Sequence, residues 1–330
     1  MPNPTPSDVH VDEVLTTFSI AYLQGASAFV AGRVFPTIYV KRQSNKYAKF
    51  TKGDFHRDGM KKRAPGTESA GGGWTINTDN SYFCDVYAAH KDIDDQTRAN
   101  ADSWAALDRA TSEYLTQLRL IRQEKDWTAT YFTTGVWAND VSVVTSNPVA
   151  GTSVLKWSDE GSTPIEDVRY WKRSVQQSTG VRPNILTLGR AVIDSLMDHP
   201  DIIDRLKYGQ TAGAPAQADL NKLAQLFELD EINVMDAIEN AAEPGQTASM
   251  AFIGGNHGLL TYRPPGPPQL MSLMSGATFV WSEYAGSQGS GQTISTFRMQ
   301  QLKADRFEIE ANWDQKAVCT DLGVFFNSLV

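Results

Sequence analysis

The chain has 330 residues, 41% hydrophobic and 21% charged, with a formal net charge of -8; this is the composition of a protein that folds around a sizeable core, not of a disordered one. The acidic balance argues against a protein whose main work is gripping nucleic acid, since that binding draws its strength from Lys and Arg on phosphates. No run of about 18 apolar residues occurs, which excludes an ordinary membrane-spanning helix, and the only cysteines, Cys84 and Cys319, are too few for a disulfide scaffold and suit a reducing cytoplasm.

Met1 to Asp8 lacks the basic start and apolar stretch of a secretory signal, and its prolines predict an extended, mobile arm. Val14, Leu15, Phe18, Ala21, Tyr22 and Phe29 have a weakly helical spacing, that of a short helix or a partner-bound arm. Val34 to Lys41 reads as an edge strand, because Pro36 blocks helix and the β-branched and aromatic residues favour extension. The next stretch is basic: Lys41, Arg42, Lys46, Lys49, Lys52, Arg57, Lys61, Lys62 and Arg63 stand against Asp54 and Asp58, a local charge of +7 that leaves -15 for the rest. A glycine cluster up to Gly73 follows, then return strands at Trp74–Thr78 and Tyr82–Tyr87. The outline is a long two-stranded excursion.

From Asp92 to Phe132 no Gly or Pro interrupts the chain, and acidic residues suit its start as a helix. Trp104, Leu107, Tyr114, Leu118 and Ile121 recur on one face of that helix. At about 1.5 Å rise per residue it spans several tens of ångströms, enough to serve as a spine. Val141–Val144 and Ser153–Trp157 read as strands. Ser162 or Thr163 before Pro164 marks a helix start, with Ile165, Val168, Trp171, Lys172 and Val175 stepping along it to Gly180. Ile185, Leu186 and Leu188 then form an apolar run broken by Gly189, and Val192, Ile193 and Leu196 resume on a helix that Pro200 stops. Further on come a helix at Ala218–Leu226, strands at Ile232–Met235 and Ser249–Gly254, and a loop at Pro264–Pro268.

The end of the chain is extended: Phe279–Trp281, a Gly/Ser loop at Gly286–Gly291, Ile294–Leu302, and Arg306–Trp313, where Phe307, Ile309, Ala311 and Trp313 alternate with polar residues. Lys303–Asp305 fits a hairpin connection, and the last strands read as an antiparallel set. No fixed-period repeat points to a solenoid or propeller.

Chemistry is sparse. The phosphate-loop, dinucleotide, nucleophile-elbow and HExxH patterns are all missing. Asp198, His199, Asp201 and Asp204 lie close together, but they straddle a helix break and read as helix-end residues rather than metal ligands. His10, His56, His90 and His257 have no ligand spacing. No catalytic, cofactor-binding or metal residue is assigned. The basic stretch has three readings: a solvated loop, a nucleic-acid surface with Tyr47, Phe50 and Phe55 as stacking partners, or an arm laid on an acidic neighbouring copy, where opposite charge steers docking. The last explains most of the sequence.

Five segments carry a wider likeness: Val34-Phe-Pro36 with Val40, Ser44–Phe50, Arg63–Gly66, Val181–Leu186 with its following helices, and Glu308–Trp313. In their order they resemble the major capsid proteins of tailed double-stranded DNA bacteriophages. The resemblance implies an α+β, Hong Kong 97-like capsid fold: an N-terminal arm at 1–33, an extended β-hairpin loop with flanking strands at 34–90, a peripheral domain with its long spine helix at 91–162, an axial domain at 163–275, and a return to the peripheral domain at 276–330. It implies a structural shell subunit, not an enzyme, that assembles with itself as hexamers and pentamers around DNA without sequence-specific or membrane binding. Portal, decoration and separate scaffolding proteins are the partners this implies, the last because no long charged helical segment precedes the arm. The places implied are the virion capsid and, during assembly, the host cytoplasm. An encapsulin-like nanocompartment shell is the alternative, and an unrecognised hydrolase a more distant one.

Overall fold

A computed structural model describes residues 23–100, 104–208, 219–266, 272–284 and 291–330. Of the N-terminal arm predicted at 1–33, residues 1–22 lie outside these; its described end holds a 3-10 turn at Ala26–Ala28 and then buries Phe29, Val30 and Ala31 in the core.

Val34 closes a short helix, Ala31–Val34, rather than opening a strand, and strand β1 begins after Pro36, at Thr37–Val40. The reason is Glu124, whose carboxylate accepts the backbone N–H groups of Val30 and Ala31 at 2.9–3.1 Å. It thereby satisfies donors that a helix start leaves open. The excursion follows as two short antiparallel pairs. Its strands are β2 (Ser44–Lys46), β3 (Lys49–Phe50), β4 (Ile76–Asn77) and β5 (Ser81–Phe83), with β2 on β5 and β3 on β4.

Strand β6, Asp85–Asp94, runs into the start predicted for the long helix. Asp92 and Asp94 are therefore strand residues, and helix begins at Asp95, as Asp95–Asn100 and then Trp104–Tyr131. Pairing overrides the helix signal: β6 matches a later strand over its whole length, and Arg306 on that strand grips Asp92 with two hydrogen bonds of 2.7 and 2.8 Å. The acidic start still acts locally, since Asp94 accepts the Thr97 N–H at 2.5 Å. The buried line of the long helix also differs by one position. Leu107, Leu115 and Leu118 pack on Ile93, Phe307 and Ile309, whereas Tyr114 is exposed beneath the Lys91 ammonium.

The remaining strands are β7 (Asn139–Val144), β8 (Ser153–Leu155), β9 (Ile185–Gly189), β10 (Glu231–Met235), β11 (Ile238–Asn240), β12 (Met250–Phe252), β13 (Gly258–Thr261), β14 (Gly276–Trp281), β15 (Gln292–Met299), β16 (Ala304–Ala317) and β17 (Val324–Asn327). One sheet joins β1, β14, β16, β15 and β6; β14, β15 and β6 are antiparallel to β16, but β1 is parallel to β14. The β15–β16 turn is Gln300–Lys303, with Lys303 at φ +48°, so Ala304 and Asp305 already pair as strand. The other sheet has the order β10-β9-β13-β17-β7-β8. Its strands come from both sides of residues 162 and 275, and β17 of the closing stretch lies at its heart.

Strand β9 is buried on both faces, as its apolar run requires. Gly189 at its end is needed for space, because a Cβ there would fall 1.9 Å from the Gly255 carbonyl oxygen. Helices Pro164–Thr179, Arg190–Met197, Pro200–Tyr208 and Leu220–Leu226 contribute to the core on one face with Leu186, Leu188, Val324 and Phe326. Pro200 begins a helix instead of ending one, and Gly180, at φ +79°, caps the first in the left-handed region. On the other face Met235, Leu259 and Phe325 meet Val34, Phe35, Trp127 and Tyr131. The end of the long helix is thus keyed into this sheet through an aromatic joint.

Glu124 lies inside that joint, and burial pushes its carboxyl from 4.5 up to about 7 despite the two amides it accepts. The folded state keeps a proton that the unfolded chain releases, so the stability this group contributes is greatest below about pH 4.5, falls as pH rises toward about 7, and is level above. At most the loss is on the order of 3 kcal/mol. Glu124→Gln retains an acceptor oxygen without the charge. Urea midpoints measured from pH 4.5 to 8 should fall less steeply for this variant than for the parent; parallel curves would contradict the assignment.

Candidate inter-subunit surface

The basic loop is rooted by aromatic stacking. Tyr82 on β5 and Tyr47 just beyond β2 lie against Phe279 of β14, with ring centroids 4.6 and 5.7 Å away. Burial raises both phenols. Past this root the two thin pairs have little beneath them. Phe50, Phe55 and Trp74 pack on one another at 5.7 and 6.4 Å. They leave Phe55, Trp74, Ile76 and Met60 exposed, the last 91% so. The intended stacking platforms are therefore partly occupied within the chain: Tyr47 by Phe279, Phe50 and Phe55 by each other.

The nine predicted cations run from the root through the two short pairs and the helical turn Lys52–Phe55 into the strandless segment beyond it. The Lys41 carbonyl accepts the Trp281 indole N–H at 3.0 Å, Lys46 and Lys49 lie on β2 and β3, Lys52 pairs with Asp321 at 2.8 Å, and Arg57 reaches Asp54 at 3.5 Å. Arg63 donates to the Thr67 carbonyl at 2.5 Å. Lys41, Arg42, Lys46, Lys49, Lys61 and Lys62 have no ion pair among the described residues. The loop thus presents charge and apolar surface together, a combination that sequence alone shows only in its charged half.

The weighed metal cluster has another job. His199 is only 3% exposed; its Nδ1 accepts the Asp201 N–H at 3.2 Å, while Nε2 lies 3.0 Å from Ser162 Oγ and 3.1 Å from the Asp159 carbonyl. An accepting Nδ1 leaves Nε2 as the donor, so the ring caps helix Pro200–Tyr208 and ties it to the distant turn that holds Asp159 and Ser162. Asp201 holds Arg205 at 3.2 Å. Among the described residues, no three His, Cys, Asp or Glu gather to hold a metal ion. His56 lies beside Gly180, His90 is exposed on β6, and His257 accepts the Ser328 N–H at 3.0 Å, its imidazolium disfavoured by burial; His10 lies outside the described residues. Cys84 is buried, its thiol pushed up to about 12 by burial, and Cys319 is raised by the same cause. Neither is a ready nucleophile.

The chain matches the family model described as Phage major capsid protein E over residues 137–275, from the start of the six-stranded sheet to just before β14. It is 27% identical over 325 residues to the major capsid protein of Pseudomonas phage JBD67, covering 97% of each chain. The major capsid protein of Burkholderia phage BcepMu is 24% identical over 230 residues, 69% of each. Among solved structures, a phage-related protein from Bordetella bronchiseptica RB50 superposes with a TM-score of 0.69 at 18% identity over 97% of both chains. The mature capsid of bacteriophage PhiM1 gives 0.57 at 11% identity over 98% of both. The encapsulin of Synechococcus elongatus PCC 7942 gives 0.55 at 8%, over 96% of this chain and 95% of that one. These structural likenesses speak for the fold, which phage capsids and encapsulins share; the sequence relatives are phage proteins. By sequence the chain is similar to phage major capsid proteins, and its fold is the Hong Kong 97-like one of the solved capsids and encapsulins.

Proposed function

We propose that many copies of this chain assemble, as hexamers and pentamers, into a closed icosahedral shell around a double-stranded DNA genome, and that the basic loop completes itself on a neighbouring subunit. The shell subunit is the role of the family. The loop's part rests on one observation: a two-stranded ribbon that carries most of its cations unpaired and several large apolar side chains uncovered. Such a ribbon buries little on its own chain and gains most of its contacts from a partner. Lys41, Arg42, Lys46, Lys49, Lys52, Arg57, Lys61, Lys62 and Arg63 are the proposed contact residues.

The two sheets suggest how the domains divide. The sheet of β1, β6 and β14–β16, with the long helix on it, fits a peripheral domain; the six-stranded sheet with its helices, including β7, β8 and β17, fits the axial domain. The subunit acts structurally, with no reaction of its own. A separate scaffolding protein, a portal and decoration proteins are its partners, assembly takes place in the host cytoplasm, and DNA is enclosed without sequence readout. The test is negative-stain microscopy of particles recovered from cells expressing the chain with its scaffolding partner. Shells, tubes or capsomers are expected, and persistent monomers at high concentration would contradict the proposal. Shells that retain one specific co-purifying cargo protein would favour the nanocompartment alternative.

A further inference from the structure

Between the short helix Ala31–Val34, β1, the long helix and the sheet of β14 and β16 lies a cavity of about 260 Å³ whose walls carry donors with nothing to accept from them. Arg119 and Gln123 line it from successive turns of the long helix, and Thr37 and Tyr39 from one side of β1. Arg119 makes one hydrogen bond, a long one of 3.3 Å from Nη1 to Gln123 Oε1, and no ion pair among the described residues. Its Nε is shut off from solvent without an acceptor; Nη2 has none either, and stays open to solvent. Arg33, also in the lining, repeats the pattern: its Nε is buried without an acceptor, and its ion pair with Glu231 is loose at 3.8 Å. Glu124 is the one acid among the described residues of the lining, and both its oxygens face the amides of Val30 and Ala31. It is therefore no counterion for Arg119, whose charge is disfavoured by burial with no acid to offset the cost. Gln123 Nε2 and the hydroxyls of Thr37 and Tyr39 also have no partner among the described residues, and both β1 residues are exposed.

Arginines drawn out of water are ordinarily paired. An oxyanion would pair this one: it is acceptor-only, takes two N–H groups of a guanidinium at once, and has lone pairs left for Gln123 and the hydroxyls. A cation or an apolar group would satisfy neither the charge nor the donors. We propose that this cavity is an oxyanion-binding site, for a carboxylate or a phosphate, anchored by the Arg119 guanidinium. The anion has two sources. One is a dissolved ion. The other is the chain itself, whose acids outside the described residues are Asp8, Asp12, Glu13 and Asp102. Trp104, the helix residue nearest Asp102 along the chain, is already roughly 22 Å from Arg119 at about 1.5 Å rise per residue. The other three acids belong to residues 1–22, which contain no Lys or Arg and join the described chain just before Ala26 of the cavity wall.

The test needs only free subunits, so it does not depend on the shell reading. Inorganic phosphate is the probe, and its binding is read from the phosphorus NMR line width. If a dissolved ion fills the site, the parent binds phosphate and Arg119→Gln weakens that binding by at least about tenfold, the scale of a lost charge-assisted hydrogen bond. If residues 1–22 fill it, the parent binds poorly, and the variant carrying Asp8→Asn, Asp12→Asn and Glu13→Gln binds at least about tenfold more tightly, a gain that adding Arg119→Gln removes. Phosphate binding by neither protein, or binding that survives Arg119→Gln, overturns the site. A second measurement leaves Arg119 in place, and serves should Arg119→Gln fail to fold. In the protein that binds, phosphate should slow phenylglyoxal modification of Arg119 by at least about fivefold while leaving Arg109, whose side chain is 82% exposed on the same helix, unchanged; equal rates at Arg119 with and without phosphate overturn the proposal.

Discussion

Phe35→Ala should lower the free energy of unfolding by about 3–5 kcal/mol, the range for deleting a fully buried aromatic ring. Phe35 is wholly buried where three parts of the fold meet. Its ring lies 5.8 Å from Trp127, 5.0 Å from Tyr131 and 6.3 Å from Trp137, in edge-on or tilted contacts. Even the facing strand is shaped around it, since a Cβ on Gly276 would fall 2.3 Å from the ring. The neighbours are large and rigid, so the hole cannot close easily. Phe35→Leu should cost less, because it refills part of the volume. Urea unfolding monitored by circular dichroism gives both values, and a loss below about 1 kcal/mol for the alanine variant would show that the joint does not depend on this ring.

Replacing Lys46, Lys49 and Lys52 together with Glu should slow shell formation at least tenfold, or abolish it, while moving thermal unfolding by no more than about two degrees. The three lysines lie along the exposed ribbon, and one makes an exposed ion pair, Lys52 with Asp321 at 2.8 Å; such pairs contribute about 0–1 kcal/mol. The proposed docking on an acidic neighbour is another matter, because six charges of difference per subunit would then act across an interface. Exposed charges are screened over about 8 Å at physiological salt, so raising salt should slow assembly of the parent and narrow its lead over the variant. Light scattering follows assembly and circular dichroism follows folding. Normal assembly of the variant at low salt would reduce the loop to a solvated one, and failure to fold would place these lysines in the core.

Elements whose signal is local were legible. The alternation from Arg306 to Trp313 is the middle of β16, and the apolar run at Ile185–Leu188 with its glycine stop is β9 followed by a helix. Elements that exist because of distant partners were not. Strand β13, Gly258–Thr261, opens on a glycine and is only four residues long, and β17, Val324–Asn327, forms by pairing with it and with β7 across nearly two hundred residues. The same holds where a partner overrides a local preference: Arg306 draws Asp92 into a strand, and Glu124 bends Ala31–Val34 into a helix. At the candidate surface the charges could be read directly, but not the exposure of the tryptophan and methionine beside them. Where the loop goes is not written in a single chain's sequence, because the proposed role places it on a second copy.

Amide hydrogen exchange over residues 41–73, measured on free subunits and on assembled shells, is the most direct measurement of that dependence. In the free chain these amides are mostly without strand partners and should exchange rapidly, while β9 and β13 stay protected in both states. After assembly the segment should gain strong protection, with no comparable change in the six-stranded sheet. Equal exchange of 41–73 before and after shells form would contradict the claim that this loop is completed by a neighbouring subunit.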